Sequence, residues 1–310
     1  MRKSARGAFT LVELLVVITI IGMLMAMVFP ALGTFLARVD QVRCEKTQGE
    51  IAKSIAAYVN AKQIYPGYVN RIVSGGRGGS RQPALKSWIV ATLEFFEKDK
   101  YDALRNGMLT GPIEMSKFMC PANPREGELI GFVANCGRKD ASSGGGNIPP
   151  DWKSNGVFMK QSLQTGGGTR DEKVRPTDIP DGESKTLVIS ENLQATKWTE
   201  IREPDIGMIW VADGPSPDVP NKDSMKINIQ RDVAITAGDY DYARPSSNHP
   251  EGVVVAFCDG TTKFLSDKVD YGGVYCKLMT PDGKNCKEPG QNAPSKQFFR
   301  DPFNDQLMDP

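Results

Sequence analysis

Arg6-Gly-Ala-Phe-Thr-Leu-Val-Glu13-Leu-Leu-Val-Val-Ile-Thr-Ile-Ile-Gly22 begins an apolar segment that decides how the rest of the chain is built. From Leu14 to Phe29 no residue is charged. With Leu11 and Val12 before Glu13, and Ala31 to Leu36 after Pro30, the run is long enough to span a bilayer, which takes about 20 residues. Arg2, Lys3 and Arg6 precede it, and the next base is Arg38. By the positive-inside rule the leader stays in the cytoplasm and the remainder lies outside.

A secretory signal has a shorter apolar core and a small-x-small cleavage site, and is discarded. Here the core is longer and no clean Ala-x-Ala site follows it. A plain anchor fits the length but leaves Glu13 unexplained. A carboxylate near the bilayer edge costs roughly a few kcal/mol and usually marks a function.

Arg6-Gly-Ala-Phe-Thr-Leu-Val-Glu-Leu-Leu15 resembles the type IV prepilin signal, which type II secretion pseudopilins share. The resemblance implies cleavage by a prepilin peptidase between Ala8 and Phe9, with the apolar segment kept. It also implies N-methylation of Phe9 and leaves Glu13 as the fifth residue of the mature chain. Ala8 stands where the family usually has Gly, with Gly7 one place earlier.

Composition narrows the classes. Hydrophobic residues make up 40% of 310, enough for a packed core, and the formal net charge is +1. Three of the 38 bases lie in the leader, so the mature chain would carry slightly fewer bases than its 37 acids. That balance argues against a nucleic-acid partner. No phosphate-binding loop is present: the Gly clusters at 74–80, 142–147 and 166–169 lack the Lys-Ser/Thr ending and read as surface loops. The chain has one histidine, which excludes a multi-histidine metal site.

Cysteines stand at 44, 120, 136, 258, 276 and 286. None forms a Cys-x-x-Cys pair, so no metal or redox motif is expected. An even count outside the cytoplasm favours disulfides. Cys276 and Cys286 flank the turn-rich Thr280-Pro-Asp-Gly-Lys-Asn285 and are the best candidate pair. Cys258, in an apolar strand, reads as a small core residue. The turn Gly238-Asp-Tyr-Asp-Tyr242 could bind calcium but lacks the alternating oxygen spacing of a known loop, and reads as solvated.

Past the membrane segment the helix is expected to continue to a break at Ile64-Tyr-Pro66-Gly67. Val39, Val42, Ile51, Ile55, Tyr58 and Val59 form its apolar stripe, which needs a partner surface. A second helix is expected over 84–105. Strands are expected over 129–134, 156–159, 186–190, 208–212, 252–258 and 262–265. No helical crossovers lie between them, so the sheet is expected to be antiparallel. The polar stretches 213–250 and 271–310 are expected to wrap it as loops.

The clearest local element is Gly252-Val-Val-Val-Ala-Phe-Cys-Asp259-Gly260-Thr-Thr-Lys-Phe-Leu265. Asp-Gly between apolar runs signals a two-residue type I′ hairpin turn with positive φ at both positions. His249 and Asp259 would stand about 30 Å apart on a straight strand. They therefore read as turn residues fixing the hairpin's ends, not as a catalytic pair. On this reading His249→Ala costs less stability than Gly260→Val.

Ser247-Asn-His249-Pro-Glu-Gly252 followed by Asp259-Gly260 is similar to the His-x9-Asp-Gly signature of a large pseudopilin-like family abundant in planctomycetes. Cys44, Cys120-Pro121, Ser154-Asn-Gly-Val-Phe158, Asp178-Ile-Pro-Asp-Gly-Glu-Ser-Lys-Thr-Leu-Val188 and Leu278-Met-Thr-Pro-Asp-Gly283 continue the resemblance in order. It implies an α+β, pilin-like fold: a long N-terminal helix, membrane-spanning in its first half, packed on an antiparallel β-sheet head with long loops. Residues 1–8 would be leader, 9–36 the transmembrane and assembly helix, and 37–310 the extracytoplasmic head. The function implied is a pseudopilin or minor pilin-like structural subunit of the inner membrane. Its partners would be the prepilin peptidase and other pilin-like subunits, bound through the helix. A membrane-anchored binding domain or enzyme is the alternative, but the sequence offers no cluster of titratable residues to support one.

Overall fold

The computed structural model describes residues 10–75, 81–108, 114–138, 151–162, 172–210, 226–228, 240–286 and 308. Its spine is α1, Leu11–Lys62, a single helix of 52 residues. At 1.5 Å per residue it is about 80 Å long. Thr10 starts it with a capping box: its hydroxyl accepts from the Glu13 N–H, and the Glu13 carboxylate accepts from the Thr10 N–H at 2.8 Å. The helix runs through Pro30 and ends where Gln63 turns left-handed at φ 59°, its N–H donating to Val59 O. Pro66 follows close behind, as expected of a helix stop.

The two halves of α1 meet different surroundings. Every described apolar side chain from Leu11 to Leu36 is exposed. Cys44, Gln48, Ile51, Ala52, Ile55 and Val59 are buried, at three- and four-residue steps. The buried stripe thus starts at Cys44, not at the expected Val39 and Val42, and Val42 is exposed. Among the described residues no helix is long and apolar enough to cross a membrane; the unbroken run of described side chains ends at Met27.

The head is built on a five-stranded sheet of order β5-β3-β4-β6-β7: β3 (Phe132–Arg138), β4 (Leu187–Glu191), β5 (Gly207–Trp210), β6 (Gly252–Phe257) and β7 (Thr262–Ser266). β3–β4, β4–β6 and β6–β7 pair antiparallel, but β3–β5 pair parallel, so the sheet is mixed. The crossover from β4 to β5 includes one short helix, Glu203–Ile206. β4 and β6 are buried at every position, which is why they read as continuous apolar runs. α1 lies on this sheet: Gln48 Nε2 donates to Val254 O of β6 at 2.8 Å, and Gly49 lies beside Thr262 of β7.

A separate hairpin, β1 (Val69–Gly75) with β2 (Arg81–Ser87), takes in only the start, residues 84–87, of what reads in sequence as the second helix. That helix starts only at Trp88 and is split into α2 (Trp88–Phe96) and α3 (Lys98–Arg105) at Glu97, whose φ −139° is non-helical. Trp88 fixes the junction by donating its indole N–H to Ile206 O and meeting Phe118 and Phe158 edge-on. The expected strand at 156–159 is not one. It is held by its N–H groups, Val157 and Phe158 both donating to Asn135 O. Gly156 lies on Gly137, so close that a Cβ would collide with backbone.

Other family-like segments also meet. Gly283 N–H donates to Asp181 Oδ2 at 2.6 Å, and Asp181 N–H to Pro281 O, joining 178–188 to 278–283. The β6–β7 connection is tighter chemistry than expected. Gly260 N–H donates to Phe257 O, Thr261 O accepts from Phe257 N–H, and only Gly260 has positive φ, at 85°. This is a three-residue loop with a left-handed glycine closing it, not a type I′ turn.

Gly260→Val is expected to destabilise the full-length protein by about 1–3 kcal/mol, through backbone strain alone, since no neighbour lies within 4 Å of a Cβ there. Gly156→Ala is expected to lower the thermal midpoint further, because two backbones must separate. Thermal melts of both variants in detergent check the order.

Candidate functional site

The first site is the start of α1. Ala8 and Phe9 lie outside the described residues. Glu13 sits on the first turn, fully exposed, with Oε2 accepting from both the N–H and the hydroxyl of Thr10. Its carboxylate is therefore held at the helix N-terminus, the end where the macrodipole favours negative charge. Around and beyond it stretches the exposed apolar half of the helix.

The second site is buried where α1 enters the head. Four segments each deliver one side chain to it: Cys44 from α1, Cys120 from the loop after the turn Ser116–Phe118, Glu191 from the end of β4, and His249 from just before β6. One donor atom of each lies within 4.8 Å of all the others. Cys44 Sγ donates to Glu191 Oε1 at 2.9 Å. His249 Nε2 is 3.2 Å from both Glu191 Oε1 and Cys120 Sγ. All four residues are at most 2% exposed.

The frame around these groups is rigid. Glu191 Oε2 accepts from Val254 N–H at 2.8 Å. His249 N–H donates to Ser247 Oγ, and Ser247 Oγ donates on to Gly252 O. Ser246 N–H reaches Glu191 O, and Asn248 holds Ala122 O at 3.0 Å. The approach to His249 is thus tied to both β4 and the Cys120 loop.

Electrostatics follow from this packing. Burial opposes the charged form of His249, but its contacts with Cys120 and Glu191 outweigh that and raise its pKa to about 10. Burial, reinforced by Cys120 and Glu191, pushes the Cys44 thiol up. The contact with Cys44 brings the Cys120 thiol down, against burial and with help from His249. All three shifts have one origin: the groups touch one another in a space closed to water.

His249 is therefore more than the turn residue read from the sequence. It lies in a bend, but its ring points into the core. Asp259 does serve the turn, accepting from Thr261 N–H and Oγ1. The two belong to different places, as the strand geometry requires. The cluster also lacks the geometry of a nucleophilic triad. There the base bridges nucleophile and acid through its two ring nitrogens. Here Nε2 alone touches both Cys120 and Glu191.

The expected Cys276–Cys286 disulfide is absent. The described residues hold no disulfide, and all six cysteines are buried. Cys276 ends the helical turn Tyr271–Cys276, while the Cys286 thiol is engaged with Gly283 O at 3.2 Å. Cys258 is buried at the head of the hairpin loop, as a core residue would be. Of the candidate calcium turn, Gly238 and Asp239 lie outside the described residues.

An apolar helix half-free of its head, joined to an α+β body, defines a type IV pilin-like class of protein. Two family matches agree with it. The Prokaryotic N-terminal methylation motif covers residues 3–29. The chain belongs to the family described as "Protein of unknown function (DUF1559)", which matches residues 41–272, as in planctomycete-type pseudopilin-like proteins. No curated protein and no solved structure matches the chain.

His249→Ala is expected to cost about 3–5 kcal/mol, more than Gly260→Val, because it strands a buried carboxylate. Denaturant unfolding of the two variants side by side reads the difference, and reverses the ranking expected from sequence.

Proposed function

We propose that this chain is a pseudopilin or minor pilin-like structural subunit of a type II secretion or type IV pilus-like system. A prepilin peptidase removes Met1 to Ala8, the new Phe9 amine is methylated, and residues 9–36 anchor the subunit in the inner membrane until assembly. The basic leader keeps the N-terminus cytoplasmic and the head outside. The observation that carries this reading is the division of α1: its described apolar side chains from Leu11 to Leu36 are exposed, and from Cys44 onward one stripe of it is buried. An apolar helical face without a partner in its own chain suits lipid first and like helices afterwards.

Glu13 has a definite role on this reading. In a bundle of apolar helices a carboxylate must be paired. The Phe9 amine of a neighbouring subunit is the available cation. The head carries no reaction; it presents a surface and fixes the helix.

Mass spectrometry of the mature N-terminus is expected to find an N-methylated Phe9. A start at Met1, or beyond Pro30, would defeat the reading. Glu13→Ala is expected to leave insertion and cleavage intact, since an apolar residue inserts at least as readily as an acid. Co-purification with partner subunits should fall several-fold. Wild-type co-purification would show that Glu13 does not act in this way.

A further inference from the structure

Cys44, Cys120, Glu191 and His249 present two sulfurs, an oxygen and a nitrogen, each atom within 4.8 Å of the other three. Thiolate, imidazole and carboxylate are the ligands zinc takes, usually four together. At metal–ligand distances of about 2.0–2.3 Å, tetrahedral ligand atoms stand about 3.3–3.8 Å apart. The Sγ–Nε2 and Nε2–Oε1 separations of 3.2 Å are close to that spacing, while the Sγ–Oε1 separation of 2.9 Å is shorter and would open as an ion entered. We propose that these four side chains form a closed, structural site for a zinc-type divalent metal ion, which fastens α1 to the head.

Three features separate this site from an ordinary buried polar cluster. The contacts converge on a single atom of each residue: Nε2 of His249 and Oε1 of Glu191 each take part in two of them. A proton relay would run through both ring nitrogens, whereas a shared point is what one ion would occupy. Secondly, the outer groups leave the inner atoms for a ligand role. Val254 N–H takes Glu191 Oε2, so Oε1 faces the cluster. Gln48 Nε2, anchored on Val254 O, lies 3.8 Å from Cys44 Sγ, and Ser247 holds the backbone of His249. Supporting contacts of this type orient metal ligands. Thirdly, two sulfurs and an imidazole disfavour calcium and magnesium, which take oxygen ligands.

The four ligands come from four separate segments, and Cys44 is the first fully buried residue among those described in α1. A metal ion there joins the helix to β4, to the segment leading into β6 and to the Cys120 loop at once. Zinc takes cysteine as thiolate, so binding would displace the thiol protons to solvent and affinity falls with acidification.

The test uses the full-length protein in detergent, purified reduced with a histidine-free tag and stripped by chelation. Co2+ is added first, then Zn2+. The expected result is one metal per chain, with the d–d bands of a four-coordinate site and thiolate charge-transfer absorption from two sulfurs. Zn2+ should displace Co2+ and raise the thermal midpoint. Cys44→Ser and Cys120→Ser should each remove about half of the thiolate absorption, by ligand count. Glu191→Gln and His249→Ala should weaken zinc binding at least about tenfold. Cys276→Ser, outside the cluster, should bind as wild type. If a ligand variant does not fold, the wild-type cobalt spectrum and zinc stoichiometry decide alone. Folded, reduced wild type that binds no stoichiometric metal, or binds it without thiolate absorption, overturns the proposal. A Cys44–Cys120 disulfide mapped in protein taken from native membranes overturns it as well.

Discussion

The head depends on a carboxylate that has no access to water. Glu191 ends β4 under α1, and every lone pair it turns inward must be met by protein. Val254 N–H meets one oxygen; Cys44 and His249 meet the other. A buried, unpaired carboxylate is among the most costly groups a fold can carry. Its three partners come from β6, α1 and the segment before β6, so the geometry of one side chain constrains where three pieces of backbone can lie. The Cys120 loop joins through His249. Packing of the large side chains beyond this point, Trp88, Trp210 and Phe158, supplies apolar burial; the polar cluster sets the alignment of helix on sheet.

That alignment lets one helix serve two solvents. From Cys44 onward α1 is an ordinary amphipathic helix with one face on a sheet. Before Arg38 it has no polar face to offer, apart from Glu13 and a few hydroxyls. The methylation motif matched over residues 3–29 covers this segment and marks the chain as type IV pilin-like.

Much of this was written in local sequence. The 52-residue helix is legible because its first half is uniformly apolar and its second half keeps helical spacing up to a proline break. β6 is legible as a buried β-branched run between Gly252 and Asp259, β4 by its buried Leu-Val-Ile, and β7 because it follows the Asp259-Gly260 turn. The β1–β2 hairpin is not. Its second strand, Arg-Gln-Pro-Ala-Leu-Lys-Ser, carries neither alternation nor β-branched residues, and its identity comes from pairing with β1. The parallel β3–β5 pair is hidden for the same reason: only the folded chain sets the register. The hairpin turn fails on a finer point, since Asp-Gly serves both a two-residue loop and a three-residue one. The buried cluster is the hardest case. Cys120 and His249 are 129 residues apart, and Cys44 and Glu191 are 147 apart. Cys44, Cys120-Pro and His249 do recur in the family pattern, which was the available signal. Glu191, inside a strand end, offered none.

The continuity of α1 has a mechanical meaning. An unbroken helix about 80 Å long is a stiff rod, and a rod transmits axial load instead of absorbing it. Tension on its exposed half reaches the head first at Cys44 and Gln48, where the bonds to Glu191 and Val254 cross from helix to sheet. Those bonds are loaded together, so each carries only a share of the tension. The helix and head therefore move as one body when either is pulled.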